Sequence, residues 1–143
     1  MANELKTIVA KVGSAIGSGV AGSQYYDFPV NSVSQLPAGI VLIEDVDPQV
    51  VLGQGRTMFG NLRIICLTGL ADNREAFLRI YDYMNSTGSG TSFIAALRAD
   101  PTFASSCDDT RIEKVENVGV RDIAGGLYAS FDILLSFMKS VPA

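Results

Sequence analysis

Three pairs of carboxylates are the residues in this chain whose types and spacing could do chemistry: Asp45 with Asp47, Asp72 with Glu75, and Asp108 with Asp109. Two acids held close together can divide the roles of general acid and general base, or hold a divalent cation. Each pair, however, falls where a turn or a helix cap is expected, and there aspartate is favoured because its side chain bonds nearby backbone groups. The backbone role is therefore the preferred reading of all three. The chain contains no histidine, which removes the commonest general base and metal ligand. GxSxG, Walker-lysine, HExxH and paired CxxC motifs are likewise absent. Cys66 sits in an apolar, strand-like run, where a free thiol packs as a small hydrophobe, and Cys107 is expected in a loop. Two isolated cysteines make no zinc site. Tyr25–Tyr26 and Asp82–Tyr83 read as packing rather than as a ligand platform. No catalytic, metal or cofactor site is expected, and the chain does not read as an enzyme.

The elements that would hold these residues come from periodicity. Leu127, Ala129, Phe131, Ile133, Leu135 and Phe137 occupy every second position of LYASFDILLSFM, the signature of a strand with one face on a core. Its other face is polar at the start and apolar at Leu134 and Met138. Leu5, Ile8, Val9 and Val12 follow helical spacing from Asn3 to about Gly13, with an end near Ser14 or Ile16. The following GSAIGSGVAGS lacks the preceding strand and the GK[ST] of a phosphate cradle, so it reads as a flexible connector. Tyr25 to Gly39 carries Pro29 and Pro37 and is expected to cross the body extended, packed by Tyr26 and Phe28. Ile40 to Glu44 reads as a short strand buried on both faces, and Asp45, Asp47 and Pro48 as a turn, with the stretch to Gly55 projecting as a hairpin arm.

Met58 to Thr68 reads as a strand with Leu62, Ile64 and Cys66 on one side and Arg63 on the other. Asp72 and Glu75 form a capping box for a helix reaching about Asn85, its buried stripe Phe77, Ile80, Tyr81 and Met84. Ser92 caps a shorter helix that Pro101 ends. Arg111 to Ile123 reads as a strand patterned by Ile112, Val118 and Val120, with a slip between Glu113 and Asn117. Ala124, Gly125 and Gly126 turn it back into the Leu127 strand. The expected fold is α+β: an antiparallel or mixed sheet of about four strands with helices packed on one face. Residues 1–143 form one domain, 1–24 being the amino-terminal helix and glycine-rich connector and 25–143 the body.

Composition narrows the partners. The 143 residues are 48% hydrophobic and 18% charged, and the mean hydropathy is +0.26. A soluble domain usually has about a quarter charged residues, so apolar or neutral surface should be left over for contacts. The formal charge of −4, without a Lys/Arg cluster, argues against gripping nucleic acid through its phosphates. An acidic surface would instead let DNA slide past. No run approaches the ~18 apolar residues of a membrane span and the start has no signal-peptide layout, so a soluble protein made inside the cell is expected, with no membrane partner.

From about Tyr25 to Met138 the order of elements becomes familiar: YYDFPVNSVSQLPAGIVLIE, the Asp72–Asn85 helix, SFIAALRADPTFASS, the Asp108–Asp109 loop, RIEKVENVGVRDIAGGLY and the terminal ASFDILLSF strand. This resembles the tail terminator proteins of tailed bacteriophages, also described as minor tail or tail completion proteins. The resemblance implies a small α+β domain that assembles as a homo-hexameric ring in the virion, at the tail and neck, after assembly in the host cytoplasm. Such a ring caps the tail tube, stops its polymerisation and meets the head-completion proteins of the neck, while DNA passes through its lumen without specific binding. Contact elements would be the exposed, glycine-bearing loop Val46–Thr57, with Asp47, Gln49, Gln54 and Arg56, and the turn Ile123–Gly126, with Ile123, Gly125 and Gly126. Bulky residues at Gly125 and Gly126 should then leave folding intact and alter tail length. The alternatives are a head-completion (stopper) or tail-tube protein of the same assembly, or a small ligand-binding or carboxylate-based catalytic domain.

Overall fold

Leu62, Ile64 and Cys66, and Ala129, Phe131, Ile133, Leu135 and Phe137, recur at every second position and are buried, as in strands with one face on a core. The computed structural model describes residues 4–20, 23–26, 36–50, 56–70, 74–84, 92–99, 102–103, 107–123 and 125–141. In chain order these form α1 (Glu4–Gly19), β1 (Gln24–Tyr26), β2 (Ala38–Val50), β3 (Arg56–Leu70), α2 (Arg74–Met84), α3 (Phe93–Arg98), β4 (Asp109–Ile123) and β5 (Gly126–Val141). The fold is α+β, with a five-stranded mixed sheet in the order β1-β2-β3-β5-β4. The fifth strand, beyond the four or so expected, is the short β1, which runs parallel to Ala38–Ile40 of β2. All other neighbours are antiparallel.

The strand singled out by its period of two is β5, and it lies between β3 and β4. Ala129, Phe131, Ile133, Leu135 and Phe137 are buried, facing Ile64, Leu62 and Cys66 of β3 on the same side of the sheet. Leu127, expected on that buried face, is exposed; it pairs with Asp122 near the β4–β5 turn. Val118 and Val120, pattern residues of the expected strand, lie in β4 and are 52% and 58% exposed. The slip in β4 is real, with register shifts between Ile112 and Lys114 and between Glu116 and Gly119.

The three helices share the covered face. Ile8, Val12 and Ile16 of α1, Ile80 of α2 and Phe93 and Leu97 of α3 join the β3 and β5 residues in one core. Phe93 is its hub: its ring lies 5.7 Å from Tyr83 of α2 and 5.8 Å, edge-on, from Phe131. Ser92 caps α3 as expected, its hydroxyl accepting from Ala95 N at 3.1 Å. In α2 the stripe is Phe77, Ile80, Tyr83 and Met84, while Tyr81 points outward. The Asp72 cap, Phe28, Pro29 and Pro101 lie outside the described residues.

The glycine-rich stretch is not a connector as far as Gly19. Helix α1 continues through Gly13 and Gly17, and Ser23 closes its end by donating to Val20 O at 2.7 Å and Ile16 O at 3.1 Å. Glycine is unfavourable inside a helix, but here it makes room for a ring. A Cβ on Gly13 would sit 2.4 Å from Cδ2 of Tyr25, and one on Gly17 3.2 Å from Cδ1. The pair, one helical turn apart, forms the flat seat on which β1 packs. Nor do Asp45, Asp47 and Pro48 make a turn: they lie within β2, which carries a bulge between Ile43 and Asp45 and pairs with β3 as far as Val50 and Arg56. The strand is also not buried on both faces, since Ile43 and Glu44 are exposed.

Candidate functional site

Among the described residues no helix covers the second face of the sheet. At one end it is apolar: Ala38, Ile40, Ile65 and Leu67 are buried there, with Tyr26, Leu36, Ile123 and Tyr128 packed against them. Towards its middle a charged network crosses all four long strands. Alternation puts Arg63 of β3 on this face because Leu62 and Ile64 are required on the other. Its guanidinium bonds Glu44 at the β2 bulge, Glu116 of β4 at 2.9 Å and Asp132 of β5 at 2.7 Å. Asp132, which is fully buried, also accepts from Arg121 Nη2 at 2.5 Å and Asn117 Nδ2 at 3.0 Å, all three donors converging on Oδ2.

The electrostatics follow from this geometry. The Glu44 hydrogen bond does most to raise the already high pKa of Arg63; burial opposes it, and Asp132 and Glu116 add to it. Glu116 is held below the ordinary glutamate value, first by Lys114 and then by Arg63. Burial, helped by the charge of Asp132, pushes the Cys66 thiol well above its usual range. Three buried atoms here have no hydrogen-bond partner: Asp132 Oδ1, Ser130 Oγ and Arg121 Nε. The network consists of guanidiniums already committed to carboxylates. It braces the four strands and contains no nucleophile next to a base.

Asp45 and Asp109 line one groove of about 490 Å³ on this face, with Phe59, Asn61, Arg111 and Ser136. Asp45 accepts from Asn61 Nδ2 at 2.8 Å, and Asp109 from the N–H of Thr110 at 2.9 Å. They stand on β2 and β4, three strand spacings or about 14 Å apart along the sheet. At that separation neither serves as acid–base partner to the other. Among the described residues no group of three His, Cys, Asp or Glu side chains is placed to hold a metal ion. No helix among them is long and apolar enough to cross a membrane.

The contact residues expected from sequence fall at two places. Asp47 and Gln49 of β2 and Arg56 of β3 lie where the β2–β3 hairpin ends, while Gln54 is outside the described residues. Ile123, Gly125 and Gly126 form the β4–β5 turn at the opposite end, next to Leu70. Asp122 Oδ1 accepts from Gly125 N at 2.8 Å there, and Gly125 has φ +89°. Because of that φ, a bulky residue at 125 strains the turn, and a Cβ on Gly126 would meet Tyr128 at 3.1 Å. Substitution there is therefore not neutral for folding, as the sequence suggested. The residues missed from sequence are Asp132, Arg121 and Asn117. Their one signal was a lone acid in the middle of an apolar strand.

No family model matches the sequence, and no curated protein matches it.

Proposed function

We propose that this chain is a structural protein of a tailed-phage virion: a tail terminator whose subunits close into a ring, cap the tail tube, stop its growth and join it to the neck. The reading rests on the sequence resemblance. The structural observation in its favour is the placing of the two contact elements at opposite ends of one braced slab. Strand β3 runs the whole way, from Arg56 to Leu70, about 45 Å at ~3.3 Å per residue. A subunit built this way offers one end to the tube and the other to the neck, and keeps the two apart with a rigid sheet.

The action is one of surfaces, with no covalent step and no cofactor. One ring face copies the complementarity of a tube subunit; the other differs, so no further tube ring adds. Six copies multiply the −4 charge of the chain, and acids facing the lumen would repel phosphate and let DNA pass. Native mass spectrometry and electron microscopy of the purified protein, alone and with tube tips, test the reading. Six-membered rings support it. Open-ended polymerisation would point to a tube subunit, and a monomer that ignores tubes would exclude both.

A further inference from the structure

Asp132 Oδ1, Arg121 Nε and Ser130 Oγ are buried polar atoms that no protein group satisfies. In folded proteins such atoms are almost always hydrogen-bonded, to protein or to an ordered water. We propose that these three atoms together hold one buried water molecule, which completes the Asp132 brace.

The sheet brings the three side chains to one place. Ser130 and Asp132 stand two apart on β5, so they share a face, and both are fully buried. Arg121 pairs with Tyr128, two residues before Ser130, and so stands on that face as well. To reach Asp132 its side chain runs along the row Tyr128, Ser130, Asp132, and it arrives with Nη2 on Oδ2 at 2.5 Å. Nε precedes the guanidinium carbon on that path, which puts it on the Ser130 side of the bond. Nη2 and Nε form one fork of the guanidinium, and a carboxylate often takes such a fork with both oxygens. Here one prong alone is used. Oδ2 accepts from Arg121, Arg63 and Asn117, and Nε and Oδ1 are left over. Room comes from β4, where Gly119 is the residue paired with Ser130; a Cβ built on it would meet nothing within 4 Å. Gly119 directly follows the bulge at which Asn117 and Val118 oppose Phe131, where the ladder is interrupted.

Chemistry selects the occupant. Nε–H only donates, Oδ1 of a carboxylate only accepts, and a serine hydroxyl does either. A cation would meet the Arg121 charge, and an anion the Asp132 carboxylate. A larger neutral molecule is kept out by burial, since none of the three atoms contacts solvent. Water meets all three demands: it accepts from Nε, donates to Oδ1 and makes its third bond with Oγ, the usual number for a buried water. The bridge ties β4 beyond its bulge to two positions of β5.

The test uses the full chain. A crystal structure fine enough to show ordered water should place one within hydrogen-bond distance of Asp132 Oδ1, Arg121 Nε and Ser130 Oγ. A closed fork, with Nε on Oδ1 and no water between them, overturns the proposal. Ser130→Ala gives a second reading by urea denaturation. If the hydroxyl holds the water, its removal should lower the folding constant about two- to tenfold. If the hydroxyl is buried without a partner, its removal relieves that penalty and the constant stays level or rises, which equally overturns the proposal. Neither result bears on the ring reading.

Discussion

Arg63 on β3 reaches diagonally across the sheet to Asp132 on β5, its Nη1 donating to Oδ2 at 2.7 Å, on the face that no described helix covers. With Arg121 and Asn117 on the same oxygen, Asp132 ties β3, β4 and β5 together on the face opposite the main core.

Removing that carboxylate takes a partner from three donors, of which Arg63 keeps Glu44 and Glu116. Asp132→Ala should cost about 3 kcal/mol, the low end for a broken buried ion pair because the guanidiniums still reach solvent. Urea denaturation measures it, and a loss no larger than that of an exposed charge would show that the network does not brace the sheet. R63M alone should cost less, since Arg121 and Asn117 still satisfy Asp132.

Glu116 sets part of the acid limb of stability. Its folded pKa is depressed below the ordinary 4.5, so the unfolded chain takes up a proton first as pH falls. The contribution is complete above about 4.5 and disappears as pH drops through the folded value. Glu116→Gln should flatten the pH dependence of the urea midpoint in that acid window and leave its shape near neutrality unchanged.

Gly13 should invert the usual helix rule. Glycine to alanine inside a helix ordinarily gains about 0.5–1 kcal/mol, but the new methyl would sit 2.4 Å from the Tyr25 ring. Gly13→Ala should destabilise by about 1–3 kcal/mol, as overpacking does. In the Tyr25→Ala background the same change should become neutral or favourable. Equal effects in both backgrounds would show that the ring does not need the seat.

The thiols offer a check on the core. Both cysteines are free and buried, and Cys66 is further protected by its raised pKa. Neither should react with a thiol reagent at mild alkaline pH until the chain unfolds; rapid labelling of Cys66 in the native protein would place it outside the core.

Much of this architecture was legible because strands with one buried face write their period into the sequence: β3 and β5 were readable from Leu62, Ile64 and Phe131 through Phe137. Where the reading failed, a distant element decided. Leu127, Val118 and Val120 have core character but are exposed towards the β4–β5 turn. Gly13 and Gly17 look like helix breakers until Tyr25, out of sight along the chain, occupies the space they leave. Asp45 and Asp47 carry turn chemistry, yet β3 holds them in a strand. The Arg63–Asp132 contact joins residues 69 apart in sequence, and no local pattern announces such a pair. The Ile123–Gly126 turn was legible from its glycines, but its place at the opposite end of the sheet from Val50 and Arg56 needed the register.

The central claim is tested most directly by adding the purified chain to growing tail tubes and measuring tube length by electron microscopy. The account predicts a six-membered ring at the tube tip and an end to elongation. Tubes that lengthen unchanged, with no ring on them, would contradict it.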